Sequence, residues 1–361
     1  MDRRELYNRI SEMIPVEHPK EKTFKDVLGE ALGQFESWIS EVDEDANLTK
    51  EKLGKAKYNI KNTNQKILNT IDLVSKGKHA EASRNMYSNL CAKPLFTEPI
   101  KEGTIFYRMR TNEKKERFTR KDLFHIPLNK RGLVSTQRYS MPGYPCLYLG
   151  KSLAACWEEM NRPSLDNCMF SCFKTEKNMR VLSLRFPDAK EWGEDVYLDQ
   201  KLEIMPFIIA CMIKVDDPNN IYKVEYTIPQ LIMEHLFINN VLIKKEEEPL
   251  MGIIYSSVHL NKDFDFPRSI YDNIVIPVQN VESGKDYCTV LNDYFKWTKP
   301  TSEEFERIKL GSLMGWEEIP KTNEEDLEMN EGLKIYNNSL FGLLEEIISD
   351  DKNYEFDNLS L

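Results

Sequence analysis

Several signatures are missing from these 361 residues, and each absence argues against a class of chemistry. No G-x-G-x-x-G follows a strand-like run. The nearest glycine pair, Gly29 and Gly33 in GEALG, lies inside a helical pattern, against a Rossmann site. There is no G-x-x-x-x-G-K-[ST] to cradle nucleotide phosphates and no H-E-x-x-H to place two zinc ligands on one helix face. The five histidines (His18, His79, His125, His235, His259) are scattered, and none stands at ligand spacing from a cysteine, so no metal is expected. Ser257 and His259 would share a strand face, but without a nucleophile elbow they do not make a serine hydrolase. The longest apolar run, IMPFIIACMI at 204–213, is about half of the roughly 20 residues a membrane-spanning helix needs, and is read as a core element. The opening MDRRELYNRISEM has charges with no apolar stretch behind them and is not read as a signal peptide.

The seven cysteines (Cys91, Cys146, Cys156, Cys168, Cys172, Cys211, Cys288) include no C-x-x-C and mostly sit in apolar runs, as expected of reduced thiols in a cytoplasmic protein. Hydrophobic residues at 41% and charged residues at 30% are ordinary for a globular chain. Charge is unevenly placed: residues 301–361 carry 16 Asp/Glu against 5 Lys/Arg, which leaves residues 1–300 about neutral within the net charge of −10. Neither part has the concentrated basic face of a nucleic-acid binder, so no nucleic-acid partner is expected.

From residue 21 to about 90 the apolar residues of FKDVLGEALGQFESWISEV and KYNIKNTNQKILNTIDLVSKG recur at three- and four-residue spacing, which predicts a helical region for docking or dimerisation. KPLFTEPIKEGT, with Pro94 and Pro99, ends that pattern. Strand-like runs follow: GTIFYRMR, YPCLYLG, NCMFSCFKT, NMRVLSLRF, GIIYSSV and NIVIPV. Helical stretches such as SLAACWEEMN and IPQLIMEHLFIN separate them. In GTIFYRMR, Phe106, Arg108 and Arg110 share one face and Ile105, Tyr107 and Met109 the other. Strands and helices without a strict βαβ rhythm predict an α+β fold. The expected division is a helical amino-terminal region at 1–95, a central domain at 96–292 and an acidic extension at 293–361, in which SLFGLLEEII can form one amphipathic helix.

What remains is centred on YPCLYLGKSLAACWEEM, residues 144–160. Ser152 can cap a helix, Pro163 stops it, and Leu153, Cys156, Trp157 and Met160 make its apolar stripe. Tyr148 is placed at the end of the preceding strand. Glu158 and Glu159 flank the stripe on opposite sides, about 120–140° from its centre, and helix geometry does not choose between them. Upstream lie Arg108 and, in a turn with Pro142 and Gly143, Arg138. Two arginines, a tyrosine and a glutamate can hold a dinucleotide and cleave its nicotinamide bond. Guanidinium forks bind pyrophosphate oxygens, an aromatic ring stacks on a base, and a carboxylate stabilises an oxocarbenium-like centre.

The ordered set of blocks over roughly residues 96–290 resembles the RES-domain family, named for Arg, Glu and Ser. The matching positions are Arg108 in FYRMR, Arg138 in QRYSMPG, Tyr148 in LYLG, Glu159 eleven residues further on in CWEEM, and Ser257 in IIYSSV. MPFIIACMIKV and VEYTIPQLIMEHL, with Glu225, Tyr226, Pro229 and Gln230, resemble two further blocks of that family. Two departures stand out: the charged insert TNEKKERFTRKDLFHIPLNKR between the two arginines, and a second carboxylate, Glu158, beside Glu159. The resemblance implies an ADP-ribosyltransferase-like core that consumes NAD as substrate, cleaving the nicotinamide–ribose bond without a metal. It also implies a toxin or defence effector, a neutralising or activating protein partner, and toxicity through NAD depletion. By the same resemblance Arg108 and Arg138 clamp phosphate, Tyr148 packs on nicotinamide, Glu159 stabilises the transition state, and Ser257 helps place the nicotinamide ribose. Water, phosphate and a macromolecule are all open as acceptors, so glycohydrolase, phosphorylase and ADP-ribosyltransferase activities are all retained. So are a catalytically silent NAD or ADP-ribose sensor, a scaffold, and a monomer or homo-oligomer. Gln230 and Tyr226, at a helix entry carrying Pro229, are read as structural.

Overall fold

The computed structural model describes residues 1–45, 47–91, 97–242, 250–259, 267–279, 284–314 and 340–361, and the breaker Pro94 lies outside them. The chain is mixed α and β and forms two compact units, each assembled from segments distant in sequence. The first comprises Met1–Glu98, Ser135–Pro142 and Arg180–Val258; the second comprises Pro99–Val134, Gly143–Met179 and His259–Leu361.

Helix starts in the first unit follow from capping chemistry. Asp2, Thr23 and Thr49 accept from the amides of Glu5, Asp26 and Lys52, at the amino ends of α1 (Arg3–Met13), α2 (Phe24–Glu41) and α3 (Lys50–Ser75). α4 (His79–Cys91) packs on α3. The apolar run read as a core element is α7 (Leu198–Cys211), buried almost all round, and the inner faces of α2 and α3 close on it. α8 (Thr227–Leu242) covers another side of α7, and the short α6 (Ala189–Glu194) meets α1. The apolar faces of α2 and α3 are therefore satisfied inside the unit. Its strands lie in the order β1 (Thr97–Ile100), β5 (Met179–Leu184), β6 (Leu250–Ser256), with β5 and β6 parallel.

The second unit is built on β7 (Asp272–Pro277), β3 (Cys146–Gly150), β2 (Ile105–Thr111), β4 (Cys168–Thr175) and β8 (Phe295–Trp297), hydrogen-bonded in that order and antiparallel. The alternation in β2 holds: Tyr107 and Met109 join a core cluster, while Arg110 on the other face is exposed. That cluster also contains Leu153, Ala154 and Trp157 of α5 (Leu153–Glu159). The acidic carboxyl-terminal stretch supplies the rest of the packing. The amphipathic run forms α11 (Leu340–Ser349), after α9 (Thr289–Tyr294) and α10 (Glu303–Met314), and buries Phe341, Leu344 and Ile348 in the same cluster. Glu345 of α11 accepts from the Leu153 amide at 2.5 Å, meeting one of the free donors at the start of α5.

The charged insert after Arg108 is likewise anchored. Its Phe124 stacks on Trp297 with ring centroids 4.7 Å apart, and Phe173 stacks on Trp297 at 5.1 Å. His125 is buried in this layer. No helix among the described residues is long and apolar enough to cross a membrane. The six cysteines described, Cys91 not among them, are free thiols.

Candidate functional site

Strand β3 ends at Gly150, and that glycine is required by close approach. A Cβ there would lie 2.7 Å from Cys156 Sγ, 2.9 Å from the Ser152 carbonyl oxygen and 3.3 Å from Asn273 Oδ1. The absent side chain lets the chain turn at once into α5, whose first turn is capped by Ser152 accepting from the Ala155 amide at 2.9 Å. The Ser152 hydroxyl in turn donates to the Ile270 carbonyl at 2.7 Å. The strand ends at Gly150 as expected, but Tyr148 lies in its middle, opposite Val275, and not at its end.

The two adjacent carboxylates are given different fates at the other end of α5. Asn161 and Arg162 take left-handed backbone angles, φ 58° and 52°, which folds the chain back over the helix terminus. Arg162 then lies over the Trp157 ring and donates both Nε and Nη2 to Glu158, each at 2.9 Å. Glu158 is buried and neutralised by this fork. Glu159 is half-buried and accepts from the Asn273 side-chain amide at 2.8 Å. Asn273 stands opposite Gly150 in the β3–β7 register, so the glycine that permits the turn also admits the amide that orients Glu159. Sequence reasoning did not single out Asn273. Its trace in the sequence is a pair of polar residues, Asp272 and Asn273, heading an otherwise apolar strand, and both prove to be buried.

Arg108 projects from β2 and donates Nη1 to the Tyr148 carbonyl at 3.2 Å. Burial, then the like charge of Arg110, pushes its guanidinium down to about 10, and no carboxylate among the described residues pairs with it. The Cys156 thiol feels the charges of both Arg108 and Glu159 and donates to the Tyr107 carbonyl at 3.3 Å. Burial pushes that thiol up to about 12, so it stays protonated near neutral pH and is no nucleophile. The second unit thus gathers Arg108, Tyr148 and Glu159 around one strand-to-helix turn.

Arg138 and Ser257 belong to the first unit. Arg138 donates Nη1 to the carbonyl of Cys211, the last residue of α7, at 3.0 Å, and its guanidinium lies 5.1 Å from the centre of the Tyr226 ring. Gln230 braces the turn that carries it, donating to the carbonyls of Gln137 at 3.0 Å and Ser140 at 3.1 Å. Gln230 and Tyr226 therefore hold Arg138 in place, in keeping with the structural part expected of them. Ser257 is fully buried just beyond β6. One cavity of about 480 Å³ in this unit is lined by Trp192, Tyr197 and Ile208, with Arg185 and Lys201 already paired to Glu98, Glu191 and Asp195.

The chain is 34% identical over 213 residues to a protein of Bacillus subtilis (strain 168) named "Putative toxin YopC". The match covers 55% of this chain and 46% of that protein, so the chain spans about half the length of the curated relative. The sequence is similar to a protein named as a toxin. No family model matches the chain, and no solved structure matches it.

Proposed function

We propose that this chain is a toxin-like enzyme that consumes NAD, cleaving the bond between nicotinamide and ribose. The observation that carries the reading is the contrast at the end of α5. Glu158 is tied to Arg162 by a two-bond fork, whereas Glu159 is oriented by the Asn273 amide, and Glu159 and Arg108, which pairs with no carboxylate among the described residues, both lie close enough to Cys156 to act on its thiol. A partly buried guanidinium without a counter-ion is costly, and an anionic ligand would offset that cost. A pyrophosphate fits an arginine fork, and a carboxylate fits the cationic ribose that forms as nicotinamide departs.

In this reading Arg108 binds phosphate oxygens, Tyr148 packs on the nicotinamide end, and Glu159 hydrogen-bonds the ribose and stabilises its developing positive charge. The C1–N bond breaks with its electron pair leaving on nicotinamide, and the acceptor adds at C1 and loses its proton. Arg138 and Ser257 carry the roles the RES resemblance assigns and are tested as separate variants. A neutralising or activating protein belongs to the same proposal, on the strength of the relative's name.

Nicotinamide release from NAD, followed by chromatography with and without inorganic phosphate, tests the enzyme. Glu159→Gln should lower the rate about 100- to 1,000-fold, the usual effect of removing a positioned electrostatic partner. A phosphate requirement would name phosphorolysis, and its absence hydrolysis; release only when a macromolecular acceptor is added would name ADP-ribosyl transfer. Equal rates in Glu159→Gln and the parent chain, or no release under any of these conditions, would overturn the proposal.

A further inference from the structure

A cluster in the first unit gathers three side chains that sequence spacing keeps far apart. Val16 pairs in parallel with Ile213, its amide donating to the Met212 carbonyl at 2.9 Å and its carbonyl accepting from the Lys214 amide at 2.9 Å. Glu17 closes the same rung with an ion pair to Lys214 at 2.6 Å. This brings His18 beside Asp216. Glu225 arrives from a single 3-10 turn, Val224–Tyr226, at the head of α8. The three potential donor atoms, one from each of His18, Asp216 and Glu225, lie within 4.8 Å of one another.

The hydrogen bonding around the cluster leaves a positive charge to be supplied. His18 Nε2 lies 3.1 Å from the Lys22 carbonyl oxygen, which can only accept, so Nε2 carries a proton. Nδ1 then faces Glu225 Oε1 at 2.5 Å, a hydrogen bond to a protonated ring that a metal ion would replace, the two atoms parting to the roughly 3 Å that ligands of one ion keep. The same Oε1 accepts from the Asp216 amide at 3.2 Å. The Glu225 side chain is 1% exposed, and its second oxygen, Oε2, is buried without a hydrogen-bond partner. A proton on Nδ1 would answer Oε1 alone, leaving a buried carboxylate oxygen unsatisfied at substantial cost. A metal ion answers both. The surroundings are those of a ligand set: an imidazole oriented by a carbonyl on its far nitrogen, and an Asp216 carboxylate steadied by the Asp217 amide at 2.6 Å.

We propose that His18, Asp216 and Glu225 bind one divalent transition-metal ion of the zinc class. One imidazole nitrogen and two carboxylates match its preference for N and O donors at about 2.0–2.2 Å, and three protein ligands leave a further position for water. The ion is a clasp joining residues 16–22 to residues 212–226. It also bears on Arg138, because Tyr226, next to Glu225 in sequence, carries the Arg138 guanidinium on its ring. This site is independent of the NAD reading.

The experiment strips the full chain with a chelator, dialyses it, and titrates it with Zn²⁺ alone by calorimetry. Co²⁺ absorption in the visible range reports the coordination. One equivalent should bind, and Zn²⁺ at a hundred-fold excess over Kd should raise the melting temperature by about 5–10 °C. Glu225→Gln, which keeps the shape of the side chain, and Asp216→Asn, at a half-exposed position, should each weaken binding at least about tenfold and dim the Co²⁺ spectrum. Circular dichroism of both metal-free variants establishes that they are folded. The proposal is overturned if no saturable one-equivalent binding occurs, or if folded Glu225→Gln and Asp216→Asn bind as the parent chain does.

Discussion

Replacing Gly150 by alanine tests whether the turn beneath the proposed site is built on close approach. The added methyl would meet Cys156 Sγ at 2.7 Å, the Ser152 carbonyl oxygen at 2.9 Å and Asn273 Oδ1 at 3.3 Å. The cysteine side chain could yield only by leaving the core packed around Trp157. The Ser152 carbonyl is backbone at the cap of α5, whose hydroxyl is also tied to Ile270. Three neighbours with little room to move put the cost at about 1–3 kcal/mol, the range for overpacking a well-filled interior. For a unit of this size that lowers the melting temperature by about 3–10 °C, read by scanning calorimetry. Gly132→Ala is the control, because a Cβ there meets nothing within 4 Å; its melting temperature should hold or rise slightly. Because Asn273 is pushed from Glu159, nicotinamide release should fall in Gly150→Ala by more than its unfolded fraction explains. A Gly150→Ala chain that melts within about 1 °C of the parent would refute the packing account of the turn.

Other perturbations check separate parts of the molecule. His125 donates Nδ1–H to the Ile126 carbonyl at 2.8 Å and accepts the Cys288 amide on Nε2 at 2.9 Å, so protonation would set a proton against that amide. Burial holds its imidazole down to about 4, below the ordinary 6.5, so the unfolded chain takes up this proton first. The stability this histidine gives is complete above pH 6.5 and lost as pH falls towards 4. Urea unfolding should show about 2 kcal/mol of loss from this group between pH 7 and pH 5 that His125→Gln does not share. Leu344→Ala, in the carboxyl-terminal helix, should cost about 2–5 kcal/mol by cavity formation, against under about 0.5 kcal/mol for its exposed neighbour Leu343→Ala. A matching pair of urea midpoints would place that helix outside the core. Glu158→Gln should destabilise by about 1–2 kcal/mol, a modest figure because Arg162 is 39% exposed, and retain nicotinamide release. Glu159→Gln should do the reverse, with nearly unchanged stability, so a double assay of melting and release exposes any exchange of roles.

The elements written in local pattern were readable from the sequence because their causes are local. The stripe of Leu153, Cys156, Trp157 and Met160, the caps at Thr23, Thr49 and Ser152, and the alternation of β2 each depend on residues a few positions apart. Two short strands escaped: β1 lies in a proline-marked stretch, and β8 is three residues long, so neither shows a period. The acidic stretch after residue 293 looked peripheral because charge dominates its composition. Its few apolar residues carry the packing, with Trp297, Phe341, Leu344 and Ile348 all buried.

The sequence by itself determined the mixture of strands and helices, the helix that carries the paired glutamates, and the set of residues that resembles an NAD-consuming site. Tertiary structure alone decided what those residues touch. The difference between Glu158 and Glu159 rests on a left-handed turn that returns Arg162 to one and on a strand pairing that delivers Asn273, 114 positions away, to the other. His18 and Glu225 meet across 207 positions in the same way. Local sequence sets backbone preference over a turn or two, whereas partners of this kind are chosen by register and packing between distant segments, which no local period encodes.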